Sequence, residues 1–256
     1  MINVPSPINI LGISVHPLTI AQLHQQIAHC IEQDSHALIL NVNVHCLNLG
    51  MEHRWLREFL NQAEIVFCDG AGVILGAKIL GRHIPQRITY ADWIWQLAEF
   101  SEPREYTFYF LGAKPGVAKI ASKNLQERFP SLRIVNIRHG YFNKTPNSIE
   151  NEAIIADINK HKPHILVLGM GMPLQERWLM ENWDRLNVNV VLTGGGMFDI
   201  ISGTLQRPPQ WMTNNGLEWL GRLFIEPRRV WKRYVVGNPI FLWRIMQQRF
   251  GLLRVE

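Results

Sequence analysis

The chain reads as an α/β fold, a doubly wound and mostly parallel sheet with a helical C-terminal appendage. Three observations point there. Short β-branched runs alternate with segments of helical periodicity, as strand–helix–strand units require. Several of the strand runs are apolar at nearly every position, the mark of strands covered on both faces. After about Gly203 the strand pattern stops and the sequence turns rich in Trp, Arg and Pro. The first two observations make the sheet Rossmann-like.

Taken in order, the expected strands are His36–Val42, Glu64–Phe67, Thr107–Leu111, Arg133–Ile137, His164–Leu168 and Asn189–Leu192. Amphipathic helices are expected at Thr19–Glu32, Gly116–Phe129 and Ile149–His161, the last with Ser148 as its N-cap. Arg207-Pro208-Pro209 reads as a hinge, which divides the chain into a catalytic domain, 1–203, and an appendage, 204–256. Three short helices are expected beyond it, Trp211–Phe224, Glu226–Val236 and Pro239–Phe250. Because the strands all precede the hinge, a chain ending near Gly203 is expected to stay folded.

The chain has 256 residues with 47% apolar and 18% charged, enough for a sizeable core and too apolar for long disorder. Its net charge of +5 is unevenly placed. Residues 218–256 carry eight Lys/Arg against three acids, so the other 217 residues are neutral, with 18 of each sign. Three cysteines without a CxxC pair point to a reducing compartment and no structural metal. The first 15 residues lack the basic start and long apolar run of a signal peptide. No apolar run reaches spanning length; the closest, Val235–Met246, is broken by Asn238, Pro239 and Arg244.

Glycine-rich turns follow three of the strands: Asp69-Gly70-Ala71-Gly72, Gly169-Met170-Gly171-Met172-Pro173 and Gly194-Gly195-Gly196. In a parallel sheet such turns fall at the ligand-binding edge, and glycine lets the backbone approach a phosphate. They are also what tight connections alone would need. None matches GxGxxG or a P-loop, which disfavours a dinucleotide site. Asp69 ends an apolar strand beside two glycines, so its carboxylate should emerge at the sheet edge as a general base or as the cap of the next helix. Asn41 and Asn43 end the first long strand in the same way, as sugar-hydroxyl partners or as turn residues.

No DxD-type acid pair is present to hold a metal–diphosphate, and the ten histidines are scattered. A leaving diphosphate would then be met by helix N-termini and by tail arginines. The tail offers Arg222, Arg228, Arg229, Lys232 and Arg233, and on an ideal helix 229, 232 and 233 share a face. Trp231, Phe241, Trp243 and Phe250 interleave with these bases, a composition suited to an anionic membrane surface. No nucleic-acid motif accompanies them, so nucleic acid is not expected as a partner.

An ordered set of segments resembles a known family. It comprises Asn41-Val42-Asn43, Cys68-Asp69-Gly70-Ala71-Gly72-Val73, Arg87-Ile88-Thr89-Tyr90-Ala91-Asp92, Phe110-Leu111-Gly112, and His139-Gly140-Tyr141-Phe142. It continues with Gly169–Glu176, Gly194–Asp199 and Gly216–Leu223. Each is weak alone; in this order they resemble the WecG/TagA/CpsF glycosyltransferases, family 26 of the glycosyltransferases. The resemblance implies metal- and cofactor-independent, inverting transfer of an N-acetylmannosamine-type sugar. The donor would be a UDP-sugar and the acceptor N-acetylglucosamine on undecaprenyl diphosphate. It implies that Asp69 is the base, that Asn41, Asn43, Arg87 and Gln175 contact substrate, and that Arg222, Arg229 and Lys232 or Arg233 take the basic tail positions. Gly140, Tyr141, Gly195 and Asp199 are expected at the nucleotide. It further implies a peripheral protein on the inner face of the cell membrane, with a homo-oligomer among the expected states. The competing readings are a nucleotide-dependent enzyme of another class and a non-enzymatic membrane-binding module. Three positions depart from the family pattern: Asn41 replaces a usual threonine, Tyr90 a usual glycine, and Arg207-Pro208-Pro209 a usual Arg-Ala-Pro. The first two bear on which donor sugar fits.

Overall fold

A computed structural model describes residues 4–253. Met1 to Asn3, Arg254 and Glu256 therefore lie outside the described residues, although they enter the sequence arguments above. The strands are β1 (Ile8–Ile10), β2 (Ile13–Val15), β3 (Ala37–Val42), β4 (Ile65–Cys68), β5 (Thr107–Gly112), β6 (Arg133–Arg138), β7 (Ile165–Gly169) and β8 (Val190–Thr193). β1 and β2 form an antiparallel hairpin; the other six make one parallel sheet in the order β4-β3-β8-β7-β5-β6. The α/β class is as the sequence predicts. All six expected strands are present, each within one or two residues of its expected ends.

Residues cluster into two compact units. The first holds 20–40 and 90–205, with most of the sheet. β3, β4, β7 and β8 are buried at every position, which is why their sequences show no alternation. Ser148 caps helix Ile149–His161 as expected, its side chain accepting from the Asn151 N–H. Helix Tyr90–Ser101 has seven of its twelve residues buried, Trp93 completely. A helix apolar on most sides shows little period to read. Close strand approach explains one glycine: a Cβ on Gly112 would stand 2.4 Å from the Gly169 carbonyl oxygen on neighbouring β7.

The second unit holds 4–19, 41–89 and the tail from 206. The tail is built as helices Gln210–Asn214, Glu218–Ile225 and Pro227–Trp231, a π-helical turn Lys232–Val236, and helix Gly237–Arg249. It is packed within this unit. Phe241 and Ile245 are fully buried, against helix Ala71–Ile79, where Gly76 makes the room: a Cβ there would meet the Phe241 ring at 2.7 Å. Arg244 donates to the backbone and side-chain oxygens of Asn48 at 3.2 and 3.0 Å, and Asn48 Nδ2 donates to the Gly237 carbonyl at 2.8 Å. Gln248 Oε1 accepts from the Leu11 N–H at 2.9 Å. Phe241, grouped with the membrane-facing aromatics on sequence grounds, is thus a core residue.

The same packing revises the expectation for a shortened chain. Ending at Gly203 would bare helix Ala71–Ile79 and leave Asn48 without its tail partners, so the second unit should unfold in urea well before the intact protein. Phe241→Ala alone should cost about 3–5 kcal/mol, whereas Phe250→Ala, at an exposed position, should cost no more than about 0.5 kcal/mol. Urea denaturation of the three proteins tests this.

Candidate active site

Asp69 leaves the end of β4 at a place the backbone fixes tightly. Its N–H donates to the Val42 carbonyl at 2.8 Å, and Ile88 N–H donates to the Cys68 carbonyl at 3.0 Å, which brings the Arg87 segment alongside. Gly70 follows at φ +115°, a conformation closed to most side chains, and turns the chain into helix Ala71–Ile79. Gly70 occupies the N-cap of that helix, and Asp69 does not cap it. The Asp69 Oδ2 accepts instead from Asn41 Nδ2 at 3.1 Å. The carboxylate is half-buried, more enclosed than its place at a sheet edge suggests. Its pKa is pushed up to about 6, first by burial and then by the negative charge of Glu218, against the pull of Arg233, Arg87 and Arg222.

Around it, within the same unit, the chain assembles a cluster of arginines and acids. Glu218, in the first turn of helix Glu218–Ile225, holds Arg87 and Arg207 each at 3.9 Å on one oxygen. Glu226 holds Arg222 at 3.6 Å and Arg229 at 2.7 Å. Arg233 lies in the π-helical turn, half-buried; burial lowers its pKa, and Asp69 is among the charges that pull the other way. Three carboxylates thus stand against five guanidiniums, two positive charges in excess. The Nε atoms of Arg222 and Arg233 are buried without a hydrogen-bond partner among the described residues. A dianion with several acceptor oxygens would satisfy both the charge and the donors. His45 sits close enough to feel Arg233; burial first, then that guanidinium, lowers its pKa to about 4, so it is neutral near pH 7.

Of the expected site residues, Asn41, Asp69, Arg87, Arg222 and Arg233 are therefore gathered in the second unit. Asn43 lies beside Gly70, but its Oδ1 caps helix Val44–Glu52 by accepting from Cys46 N–H. Arg229 and Lys232 are exposed, Arg229 tied to Glu226 and Lys232 lying over the Trp231 ring at 5.7 Å. The shared face expected for 229, 232 and 233 does not form. The helix passes into a wider π turn at Lys232, which breaks the 3.6-residue spacing and turns Arg233 inward. Of the two, Arg233 and not Lys232 acts on Asp69. Sequence reasoning missed Glu218, Arg207 and His45, although Glu218 stands inside the quoted Gly216–Leu223 segment.

The remaining expected residues lie in the first unit, Gly140, Tyr141 and Gly195 in turns after strands and Gln175 and Asp199 in the helices that follow β7 and β8. Gln175 is fully buried and engaged at both ends: Oε1 accepts from Gly171 N–H at 3.1 Å and Nε2 donates to Glu176 Oε1 at 2.8 Å. Glu176 is itself buried, which pushes its pKa up to about 7. Gly195 adopts φ +55° in the turn after β8, and the Asp199 carbonyl accepts from Leu205 N–H. Gly140 N–H donates to Ala113, and the Lys144 ammonium donates to the Gly140 and Phe142 carbonyls, shaping the turn that leaves Tyr141 64% exposed. The Tyr141 ring lines a cavity of about 850 Å³ with Lys114, Arg138, His139 and Phe142, a volume in the range of small-molecule sites.

The second unit thus holds a weakly acidic carboxylate at a strand end among arginines, and the first unit holds an aromatic-lined cavity. The model of the Glycosyl transferase WecG/TagA/CpsF family matches residues 8–254. The chain belongs to that family. Its curated relatives include proteins of Staphylococcus aureus strains NCTC 8325 / PS 47, COL and N315, each 25% identical over 244 residues, spanning 94% of this chain and 93% of the relative. Each of these bears the name N-acetylglucosaminyldiphosphoundecaprenol N-acetyl-beta-D-mannosaminyltransferase. As a family member the chain is a glycosyltransferase. Among its described residues no group of three His, Cys, Asp or Glu side chains could hold a metal ion, and no helix is long and apolar enough to cross a membrane.

The raised pKa of Asp69 has a consequence for stability. Ionising it costs more in the folded than in the unfolded protein, so the penalty is absent below the ordinary value of 3.8, grows as pH rises toward 6, and is complete above that. Asp69→Asn should therefore be the more stable protein at about pH 8, by as much as about 3 kcal/mol, and lose that advantage near about pH 4. Urea midpoints at the two pH values check the sign.

Proposed function

We propose that this transferase moves N-acetylmannosamine from UDP to the hydroxyl of N-acetylglucosamine carried on undecaprenyl diphosphate, with inversion at the anomeric carbon. The observation that carries this reading is the pairing of one weakly acidic carboxylate, Asp69, with a cluster of guanidiniums in excess of their acids. Asp69, ionised above about pH 6, takes the proton of the acceptor hydroxyl as that oxygen attacks the anomeric carbon. The carbon–oxygen bond to the diphosphate breaks on the opposite face, and UDP leaves with the bonding electron pair. Arg87, Arg222 and Arg233 stabilise the charge that collects on the diphosphate oxygens. Asn41 holds Asp69 in place. Within the first unit, the exposed Tyr141 beside its cavity suits stacking of an aromatic base such as uracil, and Gly140, Gly195 and Asp199 follow strand ends of that unit.

The lipid-linked acceptor places the reaction at a membrane, and the tail is fitted to one. Of 19 large apolar side chains exposed among the described residues, 13 lie at or beyond Trp211, including Trp231, Trp243, Phe250 and Leu252. Arg228, Arg229, Lys232 and Arg249 are exposed among them. Bases near an anionic surface contribute about 1 kcal/mol each, and the apolar groups add burial, so a peripheral attachment follows.

Two outcomes are expected. With UDP-N-acetylmannosamine and a lipid-diphosphate acceptor analogue, the purified protein should transfer sugar in the presence of EDTA, and Asp69→Asn should reduce turnover by about 100-fold or more. Near-normal turnover of that variant would remove Asp69 as the base. In co-sedimentation with anionic liposomes, a Trp231→Ser, Trp243→Ser, Phe250→Ser protein should bind much more weakly than the parent, since its core side chains are untouched. Undiminished binding would show that the tail is not the attachment.

A further inference from the structure

Glu218 has no role in the reading above, yet it occupies the centre of the charge cluster. Its carboxylate is largely buried, 17% exposed, and one oxygen lies 3.9 Å from both Arg87 and Arg207. These two arginines come from segments 120 residues apart: one beside the end of β4, the other at the start of the tail. Both are themselves only 20% exposed. An acid that merely neutralised surplus charge would serve as well at the surface, where its desolvation would cost less. Here it is withdrawn from water and placed where its field reaches Asp69.

We propose that Glu218 is a positioning residue of the transfer reaction, joining Arg87 to Arg207 across the cluster and holding its negative charge toward Asp69. The proposal rests on the function given above. Its chemical logic is a balance between two demands. The arginines attract the donor diphosphate but also favour the ionised form of Asp69 and so weaken it as a base. The groups facing Asp69 are Glu218, Arg233, Arg87 and Arg222, with Asn41 as its hydrogen-bond donor and Cys68 adjacent in the chain. Among the described residues Glu218 is the one carboxylate that acts on Asp69. It offsets the arginines at the base without removing them from the diphosphate. It also fixes the Arg87 side chain, which on its long stem would otherwise lose rotamer freedom on meeting the donor.

The test is the pH dependence of kcat/KM for Glu218→Gln and Glu218→Asp beside the unaltered protein, with thermal unfolding measured on each. Glutamine keeps the shape and removes the charge, so the acid limb should move down by about half a pH unit or more. Because a weaker base transfers the proton less readily, plateau kcat should fall by about three- to tenfold. Aspartate keeps the charge and should keep the limb near its original position. A purely structural role would lower the unfolding temperature or raise KM and leave the limb where it was. An active Glu218→Gln protein with an unmoved limb overturns this proposal alone. Failure of both variants to fold also overturns it, by making Glu218 a structural residue. Absence of transfer by the unaltered protein would instead overturn the functional reading, and this proposal with it.

Discussion

The cluster around Asp69 is out of charge balance, and much of the second unit is arranged to keep it so. Five guanidiniums and three carboxylates share a partly dry environment. Like charges in such a place repel strongly, and each buried donor without a partner costs roughly 1–3 kcal/mol. A protein holds such an arrangement only if packing elsewhere over-determines it. The packing is visible. Phe241 fills the space that Gly76 leaves, Arg244 and Gly237 are bonded to Asn48, and Gln248 closes on the β1–β2 hairpin. These contacts anchor helix Gly237–Arg249, which continues directly from the π-helical turn that carries Arg233.

Legibility in the sequence followed burial. Five of the six parallel strands could be found because two-sided burial leaves nearly unbroken apolar runs; β6, with no position fully buried, shows instead through its β-branched residues. The β1–β2 hairpin could not, since each strand is three residues long and only the second turn residue, Gly12 at φ +81°, carries the usual signal, Leu11 holding the first at φ +52°. Helix Ala71–Ile79 is expected after Asp69 but has no readable bounds, for a related reason. Gly72 and Gly76 lower its helix propensity, yet both are required: a Cβ on Gly72 would stand 2.4 Å from Val44, and one on Gly76 would strike Phe241. Helix Arg54–Gln62, by contrast, has its apolar residues at clear helical spacing and was legible, although it was not singled out.

The site divided along the same line. Asp69, Asn41 and Arg87 stand next to strand ends, so a sequence that reveals the strands reveals them. Arg222 and Arg233 were expected from composition, but which tail bases turn inward depends on a π-helical turn that no periodicity announces. The two tail prolines both stand at helix starts, where the expected helix bounds have them. Pro227 begins a helix, where its missing N–H is no loss, and Pro239 is absorbed in the first turn of helix Gly237–Arg249 for the same reason. Glu218 was hidden by its type: an acid in a basic tail reads as a solvated counter-charge until its neighbours are known.

The tail also shows how one segment can serve two solvents. Along residues 222–250, Arg222, Val230, Arg233, Tyr234, Phe241 and Ile245 turn into the unit, while Phe224, Trp231, Trp243 and Phe250 remain exposed. The inward set includes charges that act on Asp69; the outward set is what a lipid surface would cover. A rigid helix cannot move one set without the other, because side chains on opposite faces share a backbone. On the proposed function this matters for the acceptor, whose diphosphate is fixed at the headgroup level by its lipid. On that proposal a lipid surface covering the outward set would hold the arginines at the same level, and attachment and charge placement would be one geometric constraint. The fold meets it by packing the appendage against helix Ala71–Ile79, the helix that Asp69 and Gly70 introduce.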